Sequence, residues 1–434
     1  MTFKKIILIF IILVAGILSL KFFNLEKKKL SREIHMDLQN SKLLSKYINM
    51  ELDFKKSAKN ILIGKMKEED ISNNKTLERY NLVNGFYLGM NNYFPGSGYI
   101  DFHEDNLFVL SSRGIIGYTK DLANQLSFKQ IKNNINNYIN YNKYKKNNSF
   151  SLKDLLISND KIFVSFSEEI KKNCWNTSIL IANMNYKNIN FSKLFSTNEC
   201  VHSEDNEDGE FHSHEAGGRI VAIDNDHVVL TTGPYRSRFL SQDKKSINGK
   251  LIKININNSD YEIISMGHRN PQGLYFDEEN NFLLETEHGP QGGDEINIIE
   301  INKDEIQNFG WAMVSAGEHY GGKIERNKEK YLKYPLYKSH SEHGFIEPLK
   351  SFVPSIGISE ITKIENNKYV VSSLKDKSLY FFELKNKKIL SMNRVEVFER
   401  VRDLKYKNNK LYLFLEDTPS IGIINLELNV TLKN

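Results

Sequence analysis

One local pattern recurs six times in this chain and limits what it can fold into. An apolar strand runs into an Asn/Asp-rich turn, and a second apolar strand follows that ends in small polar residues. The copies are YIDFHEDNLFVLSS from Tyr99, LLISNDKIFVSF from Leu155, RIVAIDNDHVVLTTG from Arg219, GLYFDEENNFLLETE from Gly273, ITKIENNKYVVSS from Ile361 and LKYKNNKLYLFLED from Leu404. Asn, Asp and Gly accept the positive φ of tight turns, so each copy reads as a β-hairpin. Six similar hairpins predict an all-β fold, a six-bladed β-propeller over residues 76–434. A β-sandwich pair is the competing arrangement. The propeller is preferred because the copies end alike, and in a propeller the loops that follow gather on one face, where a ligand site forms. The Asn/Lys-rich segment 130–149 reads as a surface excursion.

The first 75 residues follow a different period. Lys4 and Lys5 precede an apolar run from Ile6 to Leu20 that resumes at Phe22 and Phe23. A helix of that length spans about 27 Å, close to a thin hydrocarbon core. Ala15, Gly16 and Ser19 make no clean small-x-small cleavage site. Residues 1–24 are therefore expected to be an uncleaved membrane anchor, with secretion after signal cleavage as the alternative. Leu30, Ile34, Leu38, Leu43, Leu44 and Ile48 recur at helical spacing, which predicts a helical stalk over 25–75.

Charge separates the same two parts. Residues 1–75 hold 15 Lys+Arg against 8 Asp+Glu, or +7, and the whole chain has +5, so the remainder carries 5 − 7 = −2. A body of that charge is not a nucleic-acid binder. Cys174 and Cys200 are the only 2 cysteines. In an exported chain they are most simply one disulfide, worth about 3 kcal/mol in the chain-entropy model. That bond would place the propeller outside the cytoplasm, on the periplasmic side; two free thiols are the alternative.

The densest polar motifs are GHRNPQGL at Gly267–Leu274 and ETEHGPQGGDEIN at Glu285–Asn297, with Asn308, Phe309, Gly310 and Trp311 soon after. Arg269, Asn270 and Gln272 crowd polar groups into the start of a strand. The loop from Gly289 and Pro290 to Gly293 exposes backbone carbonyls, with Asp294 and Glu295 beside it. Carbonyl and carboxylate oxygens suit a hard cation such as Ca²⁺. His288 has no second His or Cys at zinc spacing. Lys375 follows the strand end VSSL, and Arg400 and Arg402 open the last hairpin in ERVRDL. Residues i and i+2 of a strand share a face, so these two arginines repel unless an anion holds them. With Arg269 and Lys375 they would form a pocket for a ligand bearing several carboxylates. Asp403 is the alternative partner for the arginines. The acidic stretch Glu204–Glu210 reads as a solvated loop or a second Ca²⁺ site.

GHRNPQGL, TEHGPQGGDEIN, NFGW, VPSIGIS, SSLK and ERVRDL, in that order, resemble the glucose/sorbosone dehydrogenase family. The resemblance covers about residues 205–415 well and leaves the first 75 uncovered. It implies a six-bladed propeller that is a quinoprotein sugar dehydrogenase using pyrroloquinoline quinone (PQQ) and Ca²⁺. It implies further that Arg269, Asn270 and Gln272 contact the quinone, with the Arg near the reacting carbonyl. Lys375, Arg400 and Arg402 would anchor the carboxylates of PQQ, and the carbonyls of Gly289 and Pro290 would ligate Ca²⁺. Asp294 falls beside the catalytic base. The family places that base, a His, four residues before the Arg of a GGRL-like motif. In this chain the fourth residue before Arg219 is Glu215, and the expected base is His214, one further back. An imidazole suits abstraction of a sugar hydroxyl proton while hydride leaves for the quinone. A second departure is Pro234, in TTGPY, where the family has Asp. The implied activity is oxidation of an aldose or related sugar, with electrons passed to a cytochrome or membrane quinone. Two rival readings are a Ca²⁺-dependent lactone hydrolase and a non-enzymatic glycan- or protein-binding propeller.

Overall fold

A computed structural model describes residues 61–83, 97–111, 114–139, 143, 149–301 and 303–426. Among them lie six four-stranded antiparallel meanders. The first blade is Gly98–His103, Asn106–Ser111, Ile116–Thr119 and Ser127–Asn133. The second is Leu152–Ser158, Lys161–Lys171, Cys174–Asn183 and Ser192–Phe195, and the third is Gly217–Ala222, His227–Thr232, Lys250–Asn255 and Tyr261–Met266. The fourth is Pro271–Asp277, Phe282–Glu287, Asp294–Glu300 and Lys350–Phe352, and the fifth is Ile358–Glu365, Lys368–Ser373, Ser378–Lys385 and Lys388–Glu396. The sixth takes Val401–Lys407, Lys410–Leu415 and Ser420–Asn425 from the C-terminal end and Lys75–Val83 from the N-terminal side. The first strand of each blade packs on the first strand of the next, and the sixth packs on the first, so the ring closes. This is an all-β, propeller-like fold.

Each of the six hairpins expected from sequence supplies the first two strands of one blade. The turn chemistry holds in four of the six, where Asn159 and Asp160, Asn281, Asn366, and Asn408 and Asn409 adopt positive φ; in the first hairpin it is Glu104 that does so. The core lies between blades. Leu284, Phe352 and Ile358 join Val371 and Phe382 between the fourth and fifth, for example.

Inner strands leave main-chain N–H groups that the meander does not pair, and buried carboxylates accept them across blade boundaries. Asp403 accepts from Ile100 at 2.7 Å, Asp101 from Ile157 at 2.6 Å, Asp154 from Ile220 at 2.8 Å, and Glu360 from Leu274 at 3.0 Å. Each acid sits on the strand nearest the axis, so the bonds fasten neighbouring blades together.

Two expectations need correction. Residues 61–75 are not helical stalk: Ile61–Ile63 and Lys67–Ile71 are strands, and Lys75–Val83 pairs with Lys67–Ile71 around Asn73 and Asn74, with φ of 61° and 53°. Burial alternates there, with Ile61 and Ile63 buried and Leu62 exposed, which is the period of a strand. The propeller therefore begins before residue 76. Segment 130–149 is also not wholly a surface excursion, because Ile131, Ile135 and Ile139 are buried in the core of the first two blades. Among the described residues no helix is long and apolar enough to cross a membrane. The expected anchor over 1–24 and the stalk up to residue 60 lie outside the described residues. Cys174 and Cys200 form the expected disulfide.

Candidate active site

The starts of the inner strands converge on a cavity of about 220 Å³. His214, from the segment before the third blade, lines it together with Asn270 and Gln272 of the fourth and Arg400 and Arg402 of the sixth. Five sidechains named from sequence are thus brought together. Lys153, Arg219 and Glu416 complete its polar wall.

Glu416 explains how two arginines share one strand face. It accepts from Arg402 Nη2 at 3.0 Å and from Arg400 Nε at 2.9 Å. Burial raises the Glu416 pKa, but Arg402 and then Arg400 outweigh it and hold the carboxyl below its ordinary value. Asp403, the partner considered from sequence, turns instead to Arg219 at 3.1 Å. Arg402 Nη1 also donates to Gln272 Oε1 at 3.1 Å, which ties the sixth blade to the fourth. One carboxylate against Arg400, Arg402 and Lys153 leaves the cavity cationic. Lys153 is buried beside Arg402, and burial first, then that guanidinium, pulls its pKa down to about 7. Among the described residues its ammonium donates to the Ser213 carbonyl, at 3.3 Å.

His214 is half-buried, its ring 5.0 Å from that of His212. Burial first, then Lys153, His212 and Arg402, push its pKa down to about 3. The imidazole is therefore neutral at ordinary pH. The carboxylate next to it is Glu215, not Asp294. Glu215 accepts from Arg236 Nε at 2.8 Å and Arg269 Nη2 at 2.7 Å. Arg269 is only 4% exposed and also donates from Nη1 to the His288 carbonyl at 2.9 Å. It lines a second cavity, of about 130 Å³, together with Pro290. Arg269 and Pro290 face this second space, while Asn270 and His288, one and two residues away from them in the chain, face the first.

Asp294 is fully buried and accepts from Gly289 N at 3.1 Å and Ile358 N at 3.0 Å. It holds the glycine loop in place and does not line either cavity. Lys375 is exposed; its neighbour Leu374 lines the first cavity. In the acidic stretch Glu204–Glu210, Glu204 and Asp205 are exposed, while Asp208 and Glu210 are engaged by basic and tyrosine side chains. Asp208 meets Tyr334 Oη at 2.7 Å and Lys333 at 3.0 Å, and Glu210 meets Arg238 at 2.7 Å.

Two sets of atoms could hold a cation. The Gly289 and Pro290 carbonyls accept no hydrogen bond among the described residues. A Cβ at Gly289 would fall 2.1 Å from the Gly293 oxygen, so only glycine closes this loop. His268, Glu285 and Glu287 form a second, buried group whose ligand atoms lie within 4.8 Å of one another. Burial and then Glu287 raise the Glu285 pKa well above its ordinary value. Sequence reading missed this trio, and also Lys153, Arg219, Glu215 and Glu416. The signal for Lys153 and Arg219 was a charge inside an apolar strand, which a buried site tolerates only with partners.

The fold and site together define a propeller whose axial end carries a buried cationic cavity beside a neutral histidine. The chain belongs to the glucose/sorbosone dehydrogenase family, whose model matches residues 151–424. It is 28% identical over 211 residues to the aldose sugar dehydrogenase YliI of Escherichia coli (strain K12), covering 44% of this chain and 53% of that protein. The chain spans about half the length of the curated relatives it matches. The soluble aldose sugar dehydrogenase of Escherichia coli in its apo-form shares the fold with a TM-score of 0.59 at 20% identity, over 75% of this chain and 95% of that one. The PQQ-bound form of aldose sugar dehydrogenase from Streptomyces coelicolor has a TM-score of 0.53 at 19% identity, over 74% of this chain and 91% of that one.

Proposed function

We propose that the protein oxidises an aldose or related sugar with PQQ held in the first cavity and Ca²⁺ beside it. The observation that carries this reading is the buried cationic wall of Arg400, Arg402 and Lys153, which fits the three carboxylates of PQQ. The two free carbonyls of Gly289 and Pro290 fit a hard cation. Bound there, the quinone supplies the two-electron acceptor for hydride. His214 would take the proton of the sugar hydroxyl; carboxylates bound beside Lys153 and Arg402 would offset the charges that hold its pKa down and bring it nearer the operating pH that a general base needs. Arg269, clamped by Glu215 and the His288 carbonyl, holds a fixed positive charge on the side of the second cavity, next to the quinone-binding Asn270 in the chain. Glu416 fixes the orientation of Arg400 and Arg402 before the ligand arrives. Electrons leave to a cytochrome or a membrane quinone. The disulfide supports an oxidising compartment, so the body lies outside the cytoplasm, tethered by residues 1–24.

The test is a titration of the purified protein with PQQ in Ca²⁺ and in chelator, followed by dye reduction over an aldose panel. Stoichiometric, Ca²⁺-dependent binding with sugar-driven reduction is expected. Absence of PQQ binding overturns the reading. Arg402→Ala should weaken PQQ binding at least tenfold; equal affinity would remove the pocket from the argument.

A further inference from the structure

We propose that the second cavity is a subsite for an anionic group on the sugar, so that the substrate is an acidic sugar bearing a carboxylate or phosphate. The proposal rests on the sugar-oxidation reading and names the substrate class within it.

Four cations, Arg236, Arg238, Arg269 and Lys330, line this space of about 130 Å³. Among the described residues two carboxylates pair with them. Glu215 pairs with Arg236 and Arg269 at 2.8 and 2.7 Å, and Glu210 pairs with Arg238 at 2.7 Å and with Lys330. The lining is left two positive charges in excess. His319, also in the wall, does not add to them, because burial brings its pKa to about 4. Burial works against the Glu210 charge, yet Lys330 and Arg238 hold its pKa at about 2, so that carboxylate is charged throughout and cannot relieve the excess further.

Donors in this wall also lack acceptors. Arg238 Nε, Arg269 Nε and Trp311 Nε1 are buried and make no hydrogen bond. Arg238 and Arg269 are 6% and 4% exposed, and the three donor atoms are shielded from bulk solvent. A buried donor without an acceptor costs about 1–3 kcal/mol. The shielded donors mark the wall as donor-rich, and its two-charge excess is what an anion with several acceptor oxygens would cancel. A neutral hydroxyl offers weak acceptance and no charge, whereas a carboxylate or phosphate offers both. The segment Gly233–Arg238 brings two of the arginines and no carboxylate, with Pro234 between strand and loop. Arg269 borders both this space and the Glu215 beside His214, which puts an anionic group at one end of a sugar whose hydroxyl reaches the histidine.

The test uses the full chain, first without cofactor. Binding of D-glucuronate, D-glucose 6-phosphate and D-glucose is measured by calorimetry. At least one anionic sugar should bind ten or more times more tightly than glucose, and the tighter of the two identifies carboxylate or phosphate. Arg238→Gln and Lys330→Gln should each reduce that preference at least fivefold, while Arg402→Gln, in the first cavity, should leave it unchanged. Lys330 lies on a short surface helix, so its variant tests the idea even if Arg238→Gln fails to fold. Glucose binding as tightly as both anions overturns the proposal, as does a preference abolished by Arg402→Gln and untouched by Lys330→Gln. PQQ binding is measured separately on the same protein. Its failure would remove the oxidation reading and leave the anion preference standing as an independent result.

Discussion

Arg219 is the residue on which most of the centre depends. Its guanidinium meets Asp154 at 2.8 Å, Glu360 at 2.9 Å and Asp403 at 3.1 Å, and donates to the main-chain oxygens of Gln272 and Arg402. Blades two to six therefore share one cation. Arg219→Met should cost about 3–5 kcal/mol, because it strands buried carboxylates without a partner. The sign of its pH dependence follows from those acids. Burial raises Asp154 to about 6 and Glu360 to about 7 despite Arg219, which lowers both. Without the arginine they rise further, so the folded state holds protons that the unfolded chain releases above pH 4 to 5. Stability of the variant then falls as pH rises. Denaturant titrations at pH 5 and pH 8 should show the larger loss at pH 8; an equal loss would mean the acids are not the cause. His214 gives a second expectation at this scale. Its pKa of about 3 means that its ring protons should show no titration between pH 5 and 8 in the unliganded protein, read by NMR against the His214→Gln spectrum. An inflection near 6.5 would show that Lys153 and burial do not control it. The motif pattern located the histidine but not this environment, since Lys153 stands 61 positions earlier and reaches it only through the ring of blades.

Elements were legible where their cause is local. Each hairpin was visible because a turn of Asn and Asp residues separates two apolar runs, and neither depends on distant chain. Outer strands were less so. Lys350–Phe352 is three residues long and pairs with Asp294–Glu300 across a long insertion that includes the helix Lys328–Lys333, so no local period marks it. The segment 200–216, which delivers His214, is likewise non-repetitive, and its position is set by what fastens its ends. The disulfide ties Cys200 to the strand Cys174–Asn183. Asn176 donates to the Glu199 carbonyl at 2.9 Å, and the Glu199 carboxylate accepts from Ile247 N at 2.9 Å in the third blade. Further along, Asp208 accepts from Arg238 N at 2.6 Å. The Cys174→Ser/Cys200→Ser pair should therefore lower stability by about 3 kcal/mol. It should also speed hydrogen exchange over 201–207 more than in any blade strand. Uniform acceleration across the ring would mean that the bond acts on the whole fold and not on this segment.

At the scale of the molecule, a propeller must join its last blade to its first, and this chain does so with a strand that its own sequence pattern concealed. Lys75–Val83 follows a region of helical spacing and carries charges at Lys75, Glu78 and Arg79, so it reads as more of the same. In the fold it pairs with Ser420–Asn425, placing Tyr80 opposite Ile421 and Gly422 opposite Arg79. Leu77 is fully buried against a core that includes Val401, Leu411 and Leu413. Arg79 is inside as well, paired with Glu399 and Glu69, both at 2.6 Å. Removing the strand would expose Leu77, worth about 1.5–3 kcal/mol on its own. It would also leave Glu399 without its arginine and the sixth blade with an open edge. Because Arg400 and Arg402 stand at the start of that blade, loosening it should reach the first cavity. A chain beginning at residue 84 is expected to lose the cooperative thermal transition of one beginning at residue 61, and to lose PQQ binding with it. A peptide of residues 61–83 added in trans should restore both. If the shorter chain melts at the same temperature and binds equally well, the ring is closed by the other contacts between the sixth and first blades alone.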